Sequence, residues 1–227
     1  MTTKHWIDYA DTAVRQIDGG PVYTYRTAHK ALDADGSPRA YHPEPGKGLD
    51  DSRNAGYPHK SWRGVLAFDP ADHSKPYIQP DGPHAGYFVG KTSLRSQHGA
   101  DIDPTTYVDS ETVPYIVFPG NFYAIKGTGR YGDLVMARTA NRTFESAAIV
   151  ADGGPAKAPL GEMSLALATA LGGTNPNPRN GAGSPQGELQ YVVFPGAAAA
   201  PPWPRDAAEI RQTAKALLAA IGGWPDS

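Results

Sequence analysis

The sequence of 227 residues predicts a mainly β protein that ends in a helix. From about residue 20 to 196, short runs of β-branched and aromatic residues alternate with clusters of glycine, proline and aspartate, which is typical of strands separated by turns. No helix-length segments separate these runs, which favours a closed or sandwiched β core over a parallel α/β sheet. The 26 glycines and 22 prolines argue against a helical bundle or coiled coil.

The predicted elements lie in one domain, residues 1–227, with a core at about 20–196 and a C-terminal helix at about 206–221. The predicted strands are Val22–Thr27, Trp62–Phe68, Pro76–Gln79, Tyr87–Val89, Val113–Phe118, Phe122–Lys126, Asp133–Arg138, Phe144–Val150 and Tyr191–Phe194. Helices are predicted over Ser164–Leu171, with Ser164 as the N-cap, and over Asp206–Ile221, whose apolar residues share one face. Apolar spacing in Lys4–Ile17 predicts a third helix.

Composition excludes several classes of function. The formal net charge of −2 offers no electrostatic footprint for nucleic acid, and no apolar run is long enough to insert into a membrane. The chain has no cysteine, which rules out disulfides and thiolate chemistry. A secreted or periplasmic mature form and a cytoplasmic protein both fit this composition, and we expect a monomer.

Two motifs suggest cofactor or metal binding, and both are rejected. Gly127–Gly132 fits G-x-G-x-x-G, but a strand pattern follows it where a dinucleotide site needs a helix, so a hairpin turn is predicted. The segment from Asp33 to Glu44 imitates a calcium loop, but Pro38 stands where that loop needs glycine. No cofactor and no metal are therefore expected.

The segment most informative about function contains two carboxyl residues, Asp152 and Glu162, each next to a glycine. Asp152 follows a short apolar strand, and Glu162 precedes the start of a helix. Partial burial raises the pKa of such a carboxyl and suits it to act as a general acid, while a second carboxyl serves as a base, as glycosidic bond cleavage requires. The alternative is structural, with Asp152 in a turn and Glu162 stabilising the start of the helix.

The motifs around these carboxyls resemble those of glycoside hydrolase family 75, the chitosanases best known from fungi. The matching segments are Gly86-Tyr-Phe-Val-Gly-Lys-Thr-Ser-Leu94, Tyr107-Val-Asp-Ser-Glu-Thr-Val-Pro-Tyr-Ile-Val-Phe-Pro-Gly120, Asp152-Gly-Gly-Pro155 and Gly161-Glu162-Met-Ser164-Leu-Ala-Leu-Ala. The resemblance implies that Asp152 and Glu162 are the catalytic pair and that cleavage inverts the anomeric centre. Which carboxyl is acid and which is base stays open.

Asp152-Gly-Gly-Pro155 and the helix start after it also resemble the second half of a double-psi β-barrel, as in family 45 endoglucanases. This resemblance implies a six-stranded barrel with extra hairpins, long loops and a few short helices. It is a structural analogy and carries no function by itself.

The resemblance implies an endo-acting glycoside hydrolase that cleaves a β-1,4-linked amino-sugar polymer, with chitosan as the first candidate. We expect aromatic rings to stack on sugars and carboxylates to attract glucosaminium groups. The expected substrate-binding residues are Asp33, Asp35, Tyr41, Lys91, Asp109 and Ser164. The alternatives are an enzyme that cleaves the glycan of peptidoglycan and a carbohydrate-binding barrel module without catalysis.

Overall fold

The computed structural model describes residues 1–225 and confirms the mainly β class with a C-terminal helix. The strands are β1 (Thr3–Tyr9), β2 (Thr12–Ile17), β3 (Tyr23–Thr27), β4 (Ala31–Asp33), β5 (Tyr115–Pro119), β6 (Leu134–Thr139), β7 (Glu145–Gly154), β8 (Glu162–Ser164) and β9 (Leu189–Phe194). The α-helices are α1 (Gly120–Tyr123), α2 (Leu165–Ala170) and α3 (Ala207–Ala220), and short 3-10 helices span Lys60–Gly64 and Pro104–Thr106.

The nine strands form one mixed sheet in the order β1-β2-β3-β9-β6-β7-β5-β8-β4. Pairing is antiparallel except between β4 and β8 and between β5 and β7, which run parallel. The order of the described strands runs from β1 to β4 without returning to its start. The six-stranded closed barrel expected from the resemblance is therefore not confirmed.

The central strands are buried on both faces, which explains their nearly continuous apolar sequences. In β6, Val135 and Ala137 pack into one apolar cluster with α2, whereas Leu134 and Met136 pack into a second cluster with α3. Alternating residues of a strand point to opposite faces, so a single strand serves both clusters. This two-sided packing gives the strands that carry the site a rigid base.

Both confirmed helices begin at a side-chain cap. At the start of α2, the Ser164 hydroxyl accepts a hydrogen bond from Leu167 N. At the start of α3, the Asp206 carboxylate accepts hydrogen bonds from Ala208 N and Glu209 N. Such caps satisfy amide groups that have no partner within the helix. None of the helices described for residues 1–225 has the length and apolar character needed to cross a bilayer.

The expected helix over Lys4–Ile17 is wrong, because this segment forms the β1–β2 hairpin. Tyr9 pairs with Thr12 across a two-residue turn, in which Ala10 adopts a left-handed φ of 48°. The hairpin adds to β3 and extends the sheet beyond the predicted start of the core. Its pairing with β3 overrides a weak helical periodicity.

Four predicted strands in the loop-rich parts of the chain are also wrong in whole or in part. The first three residues of Trp62–Phe68 belong to a 3-10 helix. The rest of that segment, like Pro76–Gln79 and Tyr87–Val89, makes only isolated bridges. Phe122–Lys126 is the end of α1 and a turn, so Gly127–Gly132 is a loop between α1 and β6 rather than a hairpin turn. Aromatic residues of the first three segments fill small local clusters, whereas Phe122 packs into the large cluster that includes α2. These segments thus have the composition of strands without ladder partners.

Candidate active site

Three strands bring carboxyl side chains to one place. Asp152 lies near the end of β7, Glu162 begins β8 and Asp33 ends β4. The parallel pairing of β4 with β8 sets Asp33 opposite Ser164, and β5 joins β7 to β8. The sheet therefore places side chains that are far apart in sequence around one cavity, and Asp35 follows β4 into it.

Asp152 is held by three hydrogen bonds to a single oxygen. Its Oδ1 accepts from Ser93 N at 2.9 Å, from Ser93 Oγ at 2.6 Å and from Gly153 N at 2.7 Å. Burial raises the pKa of Asp152, and these three hydrogen bonds oppose the increase because they favour the ionised form. Asp152 is therefore the carboxyl of the site best supported as an anion.

Asp33 and Asp35 complete a cluster of three carboxyls with Asp152, and one oxygen of each lies within 4.8 Å of the others. Tyr41 Oη donates to Asp35 Oδ1 at 2.7 Å, and Asp35 N donates to Asp33 Oδ1 at 2.8 Å. Burial and the neighbouring carboxylates hold the pKa values of Asp33 and Asp35 well above their usual range. Three carboxyls this close cannot all be ionised, so the cluster retains a proton.

Glu162 faces the same cavity in a different setting. Within residues 1–225, its carboxyl makes neither a side-chain hydrogen bond nor a salt bridge. Burial, and secondarily the charge of Asp152, raise the pKa of Glu162 to about 7. Glu162 thus retains its proton up to near pH 7, well above the ordinary range of a glutamate, and can give it to a bound molecule.

The two glycines after Asp152 make room for functional side chains. A Cβ at Gly153 would lie 2.6 Å from Tyr131 Oη, and a Cβ at Gly154 would lie 2.7 Å from Glu162 Oε2. Real Cβ atoms do not approach other atoms so closely. The absence of a side chain at 154 therefore allows Glu162 to lie over strand β7, and its absence at 153 makes room for Tyr131.

Two adjoining cavities share Asp35, Val65, Asp152 and Gly153 as walls. The first, of about 270 Å³, is called the acidic lobe. Its ionisable residues are Asp33, Asp35, Tyr41, Asp50, Asp152 and Glu162. The second, of about 280 Å³, is called the Lys91 lobe, and Lys91, Arg95 and Tyr107 are its ionisable residues besides the shared aspartates. The carboxyl cluster therefore stands between two open spaces.

The expected substrate-binding residues divide into two groups. Asp33, Asp35 and Tyr41 line the acidic lobe, and Lys91 lines the lobe named after it. Asp109 and Ser164 line neither lobe. The Asp109 carboxylate accepts hydrogen bonds from Glu111 N and Thr112 Oγ1 in its own turn.

Ser164 is fully buried and occupied by structural contacts. Its hydroxyl donates to Val113 O at 2.9 Å and accepts from Tyr115 N at 2.9 Å, besides capping α2. These bonds tie the start of α2 to β5. The structure thus places Ser164 beneath the site, where it has no exposed surface for a polymer to contact.

Several residues of the site were missed from the sequence. Ser93 binds Asp152 and is itself hydrogen-bonded to Tyr131, while Asp50 and Asn54 line the acidic lobe and bond to each other. Ser93 lies in the resembling segment Gly86–Leu94, which was a usable signal. Tyr131 and Asn54 come from loops whose positions depend on tertiary packing, so no local pattern marks them.

The structure gives the suspected calcium loop a different arrangement. Glu44, its twelfth residue, is exposed and pairs with Lys47 at 2.7 Å. Asp33 and Asp35 instead meet Asp152, and one oxygen from each of these three could together contact a cation. The hydrogen bonds from Tyr41 and Ser93 show that protein groups also satisfy this cluster.

The site now defines a class of protein. Two buried carboxyls that line open lobes, one held by three hydrogen bonds and one with a pKa of about 7, are typical of a glycoside hydrolase. A family model described as fungal chitosanase of glycosyl hydrolase group 75 matches residues 67–223, and the chain belongs to this family. It is a chitosanase-like glycoside hydrolase. The chain has no significant match among curated proteins.

The family match covers only part of the carboxyl site. Asp152 and Glu162 lie within residues 67–223, whereas Asp33, Asp35 and Tyr41 precede them. The N-terminal segment nevertheless reaches the same cavity through the pairing of β4 with β8. About half of the residues that line the acidic lobe therefore lie outside the family-matched part of the chain.

We predict that Ser164→Ala lowers the free energy of unfolding by about 1–3 kcal/mol, because a helix cap and a buried amide lose their partner. The KM for chitosan should stay unchanged. Urea denaturation and initial rates measure the two effects. Ser184→Ala, in a surface loop, is the matched control and should change stability by less than about 0.5 kcal/mol. Unchanged stability with a raised KM would instead make Ser164 a substrate contact.

Proposed function

We propose that the protein is an endo-acting chitosanase that inverts the anomeric centre, with Glu162 as general acid and Asp152 as general base. The observation that carries this proposal is the contrast between two carboxyls lining one cavity. Asp152 accepts three hydrogen bonds, whereas Glu162 has no side-chain partner among the described residues and a pKa of about 7. Such a difference between neighbouring carboxyls is how acid and base roles are assigned.

The general acid protonates the oxygen of the leaving sugar. Glu162 suits this role because burial keeps its proton in place near neutral pH and no protein acceptor competes for that proton. The space above Gly154 lets the carboxyl face the acidic lobe. A glycosidic oxygen bound there would receive the proton as the C–O bond breaks.

The general base takes a proton from the attacking water. Asp152 suits this role because Ser93 and Gly153 hold one oxygen and favour the ionised form. Asp35 is hydrogen-bonded to Asp152, and its own pKa lies well above the usual range because of burial and the Asp33 and Asp152 charges. We infer that Asp35 is protonated and donates a hydrogen bond to Asp152. This hydrogen bond favours the ionised form of Asp152 and holds its carboxylate in position.

Inversion is proposed because the family resemblance implies it and because Asp152 and Glu162 reach the acidic lobe from different strands. The Glu162 carboxyl lies over position 154, on the strand face that also carries Asp152. Inverting enzymes space their carboxyls by about 6.5–9.5 Å to leave room for a water, whereas retaining enzymes need about 5–5.5 Å.

The two lobes support internal cleavage of a cationic polymer. Each lobe is open, and the carboxyl cluster stands between them, so sugar rings can bind on both sides of the scissile bond. The acidic lobe offers five carboxyls and no lysine or arginine, which suits a glucosaminium group. The Asp33, Asp35 and Tyr41 side chains are proposed to contact the sugar there.

We further propose that residues 1–227 act as one catalytic domain, monomeric and without a cofactor, on a polymer outside the cell. Asp33 and Asp35 support this organisation, since they enter a site whose other members lie in the family-matched part. The relation to a double-psi barrel belongs to the same proposal. It is supported by the parallel β5–β7 and β4–β8 pairs around the carboxyls.

We predict that Asp152→Asn and Glu162→Gln each lower kcat on chitosan by about 10²–10⁴-fold, because each removes an ionisable group used in catalysis. Release of reducing ends measures the rate. Asp81→Asn and Glu188→Gln are matched controls on exposed carboxyls and should keep full activity.

Thermal unfolding shows whether each variant is folded. A loss of less than tenfold in a folded variant would remove that residue from the catalytic pair. Purified cell-wall sacculi, assayed in parallel by loss of turbidity, test the peptidoglycan alternative. Faster cleavage of sacculi than of chitosan would overturn the proposed substrate.

The pH dependence of kcat should report Glu162. A general acid works only when protonated, so activity is expected to fall as pH rises through about 7, the pKa of Glu162. Initial rates between pH 4 and 9 measure this limb, and Glu188→Gln should leave it in place. A rate that instead increases across pH 7 would contradict the assignment of Glu162 as the acid.

The configuration of the first product tests inversion. Cleavage of a β-1,4 bond by this arrangement should release a new reducing end as the α-anomer. Proton NMR during the first minutes, before mutarotation, distinguishes the anomers. The β-anomer would show retention and would overturn the role of Asp152 as a base that activates water.

A further inference from the structure

The hydroxyl group of Tyr41 has a single hydrogen-bond partner within residues 1–225, and this partner is a carboxyl of the site. Tyr41 Oη donates to Asp35 Oδ1 at 2.7 Å. Burial, and secondarily the charge of Asp35, hold the pKa of Tyr41 well above its usual range, so the phenol keeps its proton. Tyr41 is therefore a permanent donor to Asp35.

The side chain of Tyr41 is fixed in place by its surroundings. It is 4% exposed, and its ring packs in a buried cluster with Trp62 and Phe88. The backbone adds a further restraint, because Phe88 N donates to Tyr41 O at 3.0 Å. Only the hydroxyl hydrogen can still turn, and the Asp35 carboxyl determines its direction.

This donor decides which oxygen of Asp35 carries the proton. A protonated carboxyl has one hydrogen to give, and an oxygen that accepts from a phenol does not also hold a hydrogen that points at this phenol. Since Tyr41 occupies Oδ1, the proton of Asp35 lies on Oδ2. On Asp152, Oδ1 already accepts three hydrogen bonds, which leaves Oδ2 for Asp35. The hydrogen bonds thus run in one direction, from Tyr41 through Asp35 to Asp152.

Several titratable groups surround this chain of hydrogen bonds. The groups that face Asp35 and Asp152 are Asp33, Tyr41, Lys91, Tyr115, Tyr131 and Glu162. Within residues 1–225, no salt bridge joins any of them to Asp35 or Asp152. Hydrogen bonds rather than ion pairs therefore offset the burial of these two carboxyls.

We propose that Tyr41 is a positioning residue of the general base, because its hydroxyl fixes the direction in which Asp35 donates to Asp152. The inference rests on the proposed function, in which Asp152 activates the attacking water. It gives residues that precede the family-matched part of the chain a role in the reaction. Tyr41 acts on Asp152 through Asp35, and this route distinguishes its role from that of a sugar contact.

Tyr41→Phe removes one oxygen and keeps the ring. The Asp35 proton then has no preferred oxygen, so the donor to Asp152 weakens and the pKa of the base rises. A general base works only when ionised, so activity falls as pH decreases through that pKa. The acidic limb of kcat/KM on chitosan should therefore move up by about 0.5–1 pH unit, which is a loss of about threefold to tenfold at pH values below the limb.

Tyr57 supplies the matched control. It packs against the same cluster as Tyr41, and its hydroxyl makes no hydrogen bond within residues 1–225. Tyr57→Phe should leave both the acidic limb and the KM unchanged. A folded Tyr41→Phe variant with its acidic limb in the wild-type position would overturn the proposal, and a raised KM in that variant would make Tyr41 a sugar contact alone.

Substitutions of Asp35 test the route. Asparagine imitates a protonated Asp35, since its oxygen accepts from Tyr41 and its amide group donates to Asp152. Asp35→Asn should therefore retain at least about tenfold more kcat than Asp35→Ala. Equal losses in the two variants would remove Asp35 from the hydrogen-bond chain and refute the proposal, and this comparison decides even where Tyr41→Phe does not fold.

A double-mutant cycle separates an effect through Asp35 from a direct one. Adding Tyr41→Phe to Asp35→Ala should cause no further loss of kcat and no further shift of the limb, because the residue that connects Tyr41 to the base is already gone. The same substitution should lower kcat in Asp35→Asn, whose amide group it leaves free to turn. Equal losses from Tyr41→Phe in the wild-type and Asp35→Ala backgrounds would contradict the inferred route.

The outcomes separate this inference from the proposed function. If Asp152→Asn is inactive while Tyr41→Phe behaves as the wild type, the chitosanase proposal stands and the role of Tyr41 is overturned. If the wild-type protein releases no reducing ends from chitosan, or if Asp152→Asn keeps full activity, the proposed function is overturned and this inference with it.

Discussion

The burial of several carboxyl groups in one cavity is the constraint on which the rest of the structure depends. Asp33 and Asp152 are 7% and 6% exposed, and Asp35 and Glu162 join them. Placing like charges together in a poorly solvated space costs free energy. Donors from Tyr41, Ser93 and the backbone offset part of that cost, and retained protons offset more. The site is thus a place where function reduces stability.

Because burial raises the pKa values of these carboxyls, the stability of the fold depends on pH. A carboxyl whose folded pKa is raised stabilises the fold fully below its unfolded pKa and loses that contribution as pH rises through the folded value. For Glu162 this window runs from its ordinary value of 4.5 to about 7. The proposed general acid is therefore kept protonated by the same burial that destabilises its anion.

The sequence predicted much of this site and only part of its surroundings. Asp152 and Glu162 could be predicted because each carboxyl stands within a short sequence motif. Helices α2 and α3 could be predicted because helix caps and apolar periodicity are local features of the sequence. The contact of Asp35 with Asp152 could not be predicted from the sequence, since it requires the parallel pairing of two three-residue strands, β4 and β8. The N-terminal hairpin and the aromatic loops were misread for the same reason: their structure is decided by partners distant in sequence.

In the proposed mechanism, Glu162 holds a proton near neutral pH while Asp152 does not. A carbon-13 NMR titration of side-chain carboxyls, with Glu162→Gln to assign the signal, tests it most directly. We expect that one glutamate titrates near pH 7, that this signal is missing in the variant, and that Asp152 ionises at lower pH. A Glu162 carboxyl that titrates near 4.5 would contradict the account.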